Sequence, residues 1–420
     1  MRPLALALTL PFVFLTACDA GAPDDAAVGA DAGASDAGGA DAGATDGGAL
    51  DAGATDGGAI DAGPGECPRA LAPADRVRRV VVSHPFTDGG DDDRYEVLTL
   101  AEDGTLAQPG TTFNMRRASG GEIVFTPDGE IGFVAQSDGS VGVFRLDADG
   151  RPTVLNPALR EGFYASHVVM DPSGAHAWVL DAQWRESGGG IYRLAIGCDG
   201  RVRATTKVAE ARLAYAMALR ADGRALVAAR DILDSPEGAD AHLVDLGAPA
   251  VRASADAFDD DWIASSAALS ANGRHFLVAD NAAFSGGDRV AVVGVAGDAL
   301  SRVQVLSPIQ DPVSIALSPF DDLALVVSGF GDAIFVVDYT PDAASPFAVR
   351  GPLTYVGARP ALPGAAVTIT RGALRGLVLV AENVSVRRVR FDGGGAVTDL
   401  GAHSVGEGVP AIVGAIGVQP

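Results

Sequence analysis

One period governs most of this chain. From about residue 77 onward, an apolar run, a turn and a second apolar run recur at nearly constant spacing. The copies read EIVFTPDG from Glu122, HVVMDPSG from His167, AMALRADG from Ala216, SAALSANG from Ser266 and SIALSPFD from Ser314, with a weaker sixth, AVTITRGA, from Ala366. The turn glycines Gly129, Gly174, Gly223 and Gly273 stand 45, 49 and 50 residues apart. The hairpin glycines Gly104, Gly150, Gly200 and Gly394 keep the same pitch, with intervals of 46, 50 and 194, the last close to four repeats. No sustained helical period interrupts the pattern, so the runs read as short strands. A period of this length with about four strands in each copy is the signature of propeller blades.

The two ends of the repeat region complete the count. Residues 77–113 hold three strands, beginning RRVVVS and YEVLTL, and residues 409–420 hold one more. Together they make a seventh blade, which closes the ring and leaves no free sheet edge. The expectation is an all-β, seven-bladed β-propeller over residues 67–420, preceded by a disordered N-terminal stretch. The succession of apolar strand, Ser-Pro-Asp-Gly-like turn and Val-rich strands resembles the YVTN and lactonase-like propellers, most closely in VFRLDADGRPTVL from Val143. That resemblance implies the fold; fold alone does not carry a function.

Residues 1–17 read as a secretory leader: Arg2, an apolar stretch too short to stay in a membrane as a helix, then small residues. Leu15, Thr16, Ala17 and Cys18 resemble the lipobox of bacterial lipoproteins. The resemblance implies cleavage before Cys18 and a lipid on its sulfur, hence a membrane partner reached through the N-terminus. With Cys18 so consumed, Cys67 and Cys198 remain as a pair in an oxidising compartment. A Cys67–Cys198 disulfide is expected, with two free thiols as the alternative, since sequence does not give their separation.

Residues 19–66 are nearly all Asp, Ala, Gly and Thr, with eleven acidic side chains and no base. Such a segment cannot form a core and should behave as an extended tether, averaging roughly 35–40 Å end to end or more. Domain boundaries follow: leader 1–17, anchor and tether 18–66, propeller 67–420. A formal charge of −23 with Lys207 as the one lysine argues against nucleic acid and against polybasic attachment to lipid. Asp19 directly after Cys18 resembles an inner-membrane retention signal, whereas so long a spacer favours the outer membrane or cell surface. Acting as a monomer is the simplest expectation.

Blade topology separates two faces. The tight Asp-Gly and Asn-Gly turns occupy one, and their Asp and Asn are turn residues. The other carries longer connections, at 86–94, 182–190, 230–240, 253–262 and 282–288. Binding residues concentrate on loops held by a rigid scaffold. The candidates there are Trp184, Trp262 and the acidic runs Asp91, Asp92, Asp93 and Asp259, Asp260, Asp261. Calcium is the cation such runs would hold, against a plain solvated rim; the runs are too far apart round the ring to form one site. Seven residues before each turn glycine the innermost strand begins, giving Glu122, His167, Ala216, Ser266, Ser314, Ala366 and Pro410. Glu122 and His167 are the chemical candidates at the channel mouth, either as a site or as a hydrogen-bonded pair steadying two blades; the other five are small or inert. His176 and His275 share a repeat position and read as strand surface. No Gly-x-Ser-x-Gly elbow, zinc spacing or phosphate loop occurs. The expected function is a tethered scaffold binding a protein or glycan through its long loops, without enzymatic activity; the alternative is a hydrolase acting on a lactone or sugar-derived substrate at the channel mouth.

Overall fold

The computed structural model describes residues 66–87, 93–118, 121–183, 187–259, 264–280, 288–405, 411–412 and 415–420. Every element among them is a strand. They form seven four-stranded antiparallel blades, two of them joined into one larger sheet, and a two-stranded ribbon of Phe86–Thr87 with Ala411–Ile412. The innermost strands are Ala415–Val418, Gly121–Phe125, His167–Met170, Arg212–Leu219, Ala264–Leu269, Pro312–Leu317 and Ala366–Thr368. Each neighbours the next, and the last neighbours the first, so the ring is closed.

The strand sequences follow from their place in a blade. Second strands are covered on both faces and read as unbroken apolar runs: Ile131–Ala135, Leu323–Ser328 and Leu377–Glu382 are buried throughout. Outer strands such as Ala299–Leu306 are open to solvent along most of their length. Between blades lie seven separate apolar clusters, one per interface. Close packing sets individual residues: a Cβ on Gly132 would fall 2.2 Å from the Phe144 ring. At the turns, Gly129 has φ +77, and Asp128 Oδ1 accepts the Glu130 N–H at 3.0 Å. The same Asx pattern at Asp222 and Asn272 confirms these as turn residues.

Closure joins the chain's two ends. Ala415–Val418 pairs antiparallel with Arg78–His84, Val82 opposite Ile416, and runs parallel to Gly121–Phe125, Ile416 opposite Glu122. The closing inner strand therefore starts at Ala415, later than the repeat spacing gives; Pro410 lies outside the described residues. Counting back from a turn glycine fails in this blade because its inner strand has no turn after it.

Residues 66–77 form a strap across the hairpin face. Cys67 is disulfide-bonded to Cys198, with Cα atoms 5.0 Å apart. Its N–H reaches the Ile196 carbonyl, Arg69 N–H that of Ser173, and Ala72 N–H that of Pro127. Farther along, Asp75 accepts the Ala373 N–H, and Arg371 donates to the Ala72 carbonyl. Glu66 pairs with His176 at 2.8 Å. The strap thus touches turns of three blades before entering a fourth. The disulfide spans 131 residues, so its loss releases a large loop in the unfolded chain. Cys67→Ser is expected to lower unfolding free energy by about 2–5 kcal/mol. Urea titrations with and without reductant check this: reductant should bring the parent to the variant's midpoint and leave the variant unmoved.

Two histidine assignments need correction. His275 is 7% exposed, with Nδ1 2.8 Å from the Tyr339 hydroxyl. His176 is occupied by Glu66. Both lie at strand starts, where groups from distant sequence cover them.

Candidate functional site

The channel wall is built from one repeat position, and the repeat brings different chemistry to it in each blade. Ala216, Ser314, Ala366 and the closing-blade Ile416 are buried there. Ser266 and Ser314 are not inert: their hydroxyls accept backbone N–H groups of Ile315 and Ala366 on the next blade, stitching inner strands together. Glu122 and His167 differ from these. They stand at the starts of adjacent inner strands, remain partly exposed, and make no hydrogen bond or ion pair among the described residues. The expected alternative of a mutually bonded pair is therefore not what the structure contains.

Their surroundings set their protonation. Both side chains are partly shielded from water within the ring. That burial raises the Glu122 carboxyl to about 7 and lowers the His167 imidazole to about 4. Near neutral pH, Glu122 is poised between its two forms and His167 is neutral. A carboxyl that both takes and releases a proton at working pH, with an uncharged imidazole of one donor and one acceptor nitrogen on the adjacent inner strand, is the equipment of general acid–base chemistry.

The long-loop face uses its buried polar groups for its own construction. The residue seven after each turn glycine ends or directly follows the second strand, and it recurs as a polar side chain: Gln136, Asp181, Arg230, Asp280 and, in equivalent places, His84, Ser328 and Glu382. Asp181 accepts the N–H groups of Tyr164 and Gln183, at 3.0 and 2.9 Å. Asp280 pairs with Arg289, His84 with Glu96, and Glu382 with Arg387. Asp240, raised by burial to about 6, and Asp311, also raised by burial, hold the N–H groups of Phe258 and Phe330. The sequence signal for this ring was present in the repeat offset and is easily passed over, because the residue type changes from blade to blade.

The loop candidates divide. Trp184, Trp262, Asp91, Asp92, Asp260 and Asp261 lie outside the described residues. Asp93 accepts from the Asn114 amide at 3.2 Å, and Asp259 pairs with Arg302 at 2.7 Å while remaining largely exposed. Among the described residues no three metal-ligating side chains converge.

No protein-family model matches the sequence, and no curated protein sequence does. Solved structures do match in shape. The periplasmic gluconolactonase of Pseudomonas aeruginosa superposes with a TM-score of 0.59 at 15% identity, over 82% of this chain and 99% of that one. A Bacteroides fragilis protein with the provisional name 6-phosphogluconolactonase gives 0.58 at 13% identity, over 84% and 100%. A Lactobacillus plantarum protein gives 0.60 at 13% identity, over 82% and 100%. At such identities the likeness establishes a lactonase-like β-propeller fold and leaves the reaction to be argued from the site.

Proposed function

We propose that this propeller hydrolyses a sugar-derived lactone at the long-loop mouth of its channel, with Glu122 as general base and His167 as its neutral partner. The observation that carries the reading is the pair itself: two titratable side chains on adjacent inner strands, partly exposed, unpartnered, and shifted by burial toward useful protonation states. In the step envisaged, Glu122 takes a proton from water as the water oxygen bonds to the lactone carbonyl carbon. The His167 N–H donates to the developing oxyanion. The ring C–O bond then breaks, and the proton held by Glu122 passes to the departing oxygen, leaving an open hydroxy acid. The lactonase-like fold supports this reading over a scaffold role, and the loop-face carboxylates are engaged in holding loops. The first test is a pH-stat assay of the full chain against gluconolactones with and without a 6-phosphate. Absence of any rate above spontaneous hydrolysis on either would sink the proposal.

The same proposal places the protein on a membrane. The lipobox-like residues ending at Cys18 support a lipid anchor, and the acidic spacer supports action at a distance from an outer membrane or cell surface. Metabolic labelling with a fatty-acid probe should mark the parent and leave Cys18→Ser unlabelled. Equal labelling of both would refute the anchor.

A further inference from the structure

On the hairpin face, opposite the channel mouth discussed above, the closing blade and the next one are separated by a cleft of about 480 Å³. Arg76 of the strap, Arg79 of the strand Arg78–His84 and Arg145 of the strand Val141–Leu146 line it, together with Gln419 and the carboxylates Asp128, Glu130 and Asp147. Three guanidinium groups and three carboxylates share this cleft, so the question is which donors the carboxylates leave unmet. Each carboxylate has another partner, Glu130 lying 3.7 Å from Arg69. Asp128 gives one oxygen to Arg69 at 2.7 Å and the other to the Thr126 hydroxyl and the Glu130 N–H. Asp147 accepts the Asp149 and Arg151 N–H groups of its own turn.

None of the three arginines makes an ion pair among the described residues. Arg79 reaches the Thr99 hydroxyl, and Arg145 the Asp199 carbonyl. Arg76 has two long contacts, to the Asp128 carbonyl at 3.4 Å and to the main-chain oxygen of the final residue, Pro420, at 3.3 Å. A guanidinium carries five N–H donors in a planar fork, so most of this donor capacity is unspent. Nearby, Arg78 and Arg371 donate to main-chain carbonyls. Burial, and then the charge of Arg371, lowers the Arg76 guanidinium below its ordinary range, against the opposing pull of Asp128.

We infer that this cleft binds a phosphate-type oxyanion, gripped by forked hydrogen bonds from Arg76, Arg79 and Arg145. A tetrahedral, multiply charged group can accept from several guanidinium forks at once, which a single carboxylate does less well. The group can arrive as a free phosphate or small phosphate ester, or as a lipid headgroup. The inference stands apart from the lactonase reading: it concerns the other face, and its readout is binding.

The test titrates inorganic phosphate into the full chain by calorimetry and, in parallel, floats the chain with phosphatidylglycerol or phosphatidylcholine vesicles. Expected is saturable binding that weakens with added salt. It should fall about tenfold or more in Arg76→Ala and in Arg145→Ala, a factor of ten being the loss of one charge-assisted contact. Arg252→Ala, which removes an arginine paired with Asp245 on another blade, should bind like the parent. Binding of phosphate identifies a free ligand; binding of anionic vesicles alone identifies a headgroup. Arg76 is half-exposed with only long contacts, so its removal should leave the melting temperature nearly unchanged, and Arg76→Lys should bind at an intermediate level. Saturable binding of neither probe, or equal loss in Arg252→Ala, overturns the inference.

Discussion

Glu122→Gln is expected to lower lactone hydrolysis by about 10²–10⁴-fold, the range for removing a positioned general base, while leaving the fold intact or firmer. The amide keeps the shape of the side chain and loses its ability to take a proton. Substrate binding should change little, so the loss should fall on kcat more than on KM. The pH profile adds a second readout. Since burial raises this carboxyl from 4.5 to about 7, the basic form appears only as pH rises through 7, and the parent rate should climb across that point. His167, lowered to about 4, stays neutral over the same interval and contributes no break of its own. Stability should move the other way. A carboxyl whose pKa is higher folded than unfolded favours the native state fully below its unfolded value, and that advantage is lost as pH rises through the folded one. At pH 8 the parent therefore holds an unfavourable charge in its channel. Gln removes it, for a gain on the order of 1–2 kcal/mol once channel water is allowed for. A fully active Glu122→Gln, or an unchanged break near pH 7 in the variant, would falsify the assignment.

The parts of this molecule that the sequence made legible are those written by local, repeated chemistry. Turn glycines such as Gly129 and Gly174 fix the pitch because each needs a positive φ, and unbroken runs such as LALVV mark strands covered on both sides. The same spacing locates Glu122 and His167, since the channel position is a fixed offset from the turn. Closure by the two termini was legible by counting strands, although its register was not, because the last inner strand lacks the turn from which to count. What stayed hidden depends on contacts between distant residues. The strap has no apolar period; its place comes from single hydrogen bonds to Ser173, Pro127 and Arg371, up to about 300 residues away. His275 looks exposed by alternation until Tyr339 covers it. The cleft arginines belong to three segments whose approach only the closed ring produces. Arg387 is an intermediate case. In Ser385–Phe391 it shares a face with Val389 and Phe391, so alternation alone turns it inward and raises the question of what meets its charge.

The answer gives the other large expected effect: Arg387→Met should destabilise the protein by about 3–5 kcal/mol. Arg387 is 1% exposed, beneath the Tyr355 ring at 5.2 Å. It donates to Glu382, to Asp399 at 2.6 Å and to the Ala358 carbonyl at 2.8 Å. Asp399 also accepts the N–H groups of Val356 and Gly401, and Glu382 the Ser385 hydroxyl. One guanidinium thus neutralises two buried carboxylates and ties the last blade to the link that enters it. Methionine fills a similar volume and strands both charges, and the cost of an unpaired buried charge exceeds the worth of the pair that held it. The two contributions can be separated. If stranded charge dominates, adding Glu382→Gln and Asp399→Asn to Arg387→Met should restore most of the lost stability, since replacing a whole buried ionic group is often close to neutral. If lost packing dominates, the triple variant should be no better than the single one. Urea midpoints of the parent, single and triple variants decide between them, and a single variant within about 1 kcal/mol of the parent would mean that water reaches this site. The experiment also bears on the channel. Like Asp181 and Asp240, this cluster fixes loop backbone on the mouth side, so its loss should loosen that side while the hairpin face keeps its strap and disulfide.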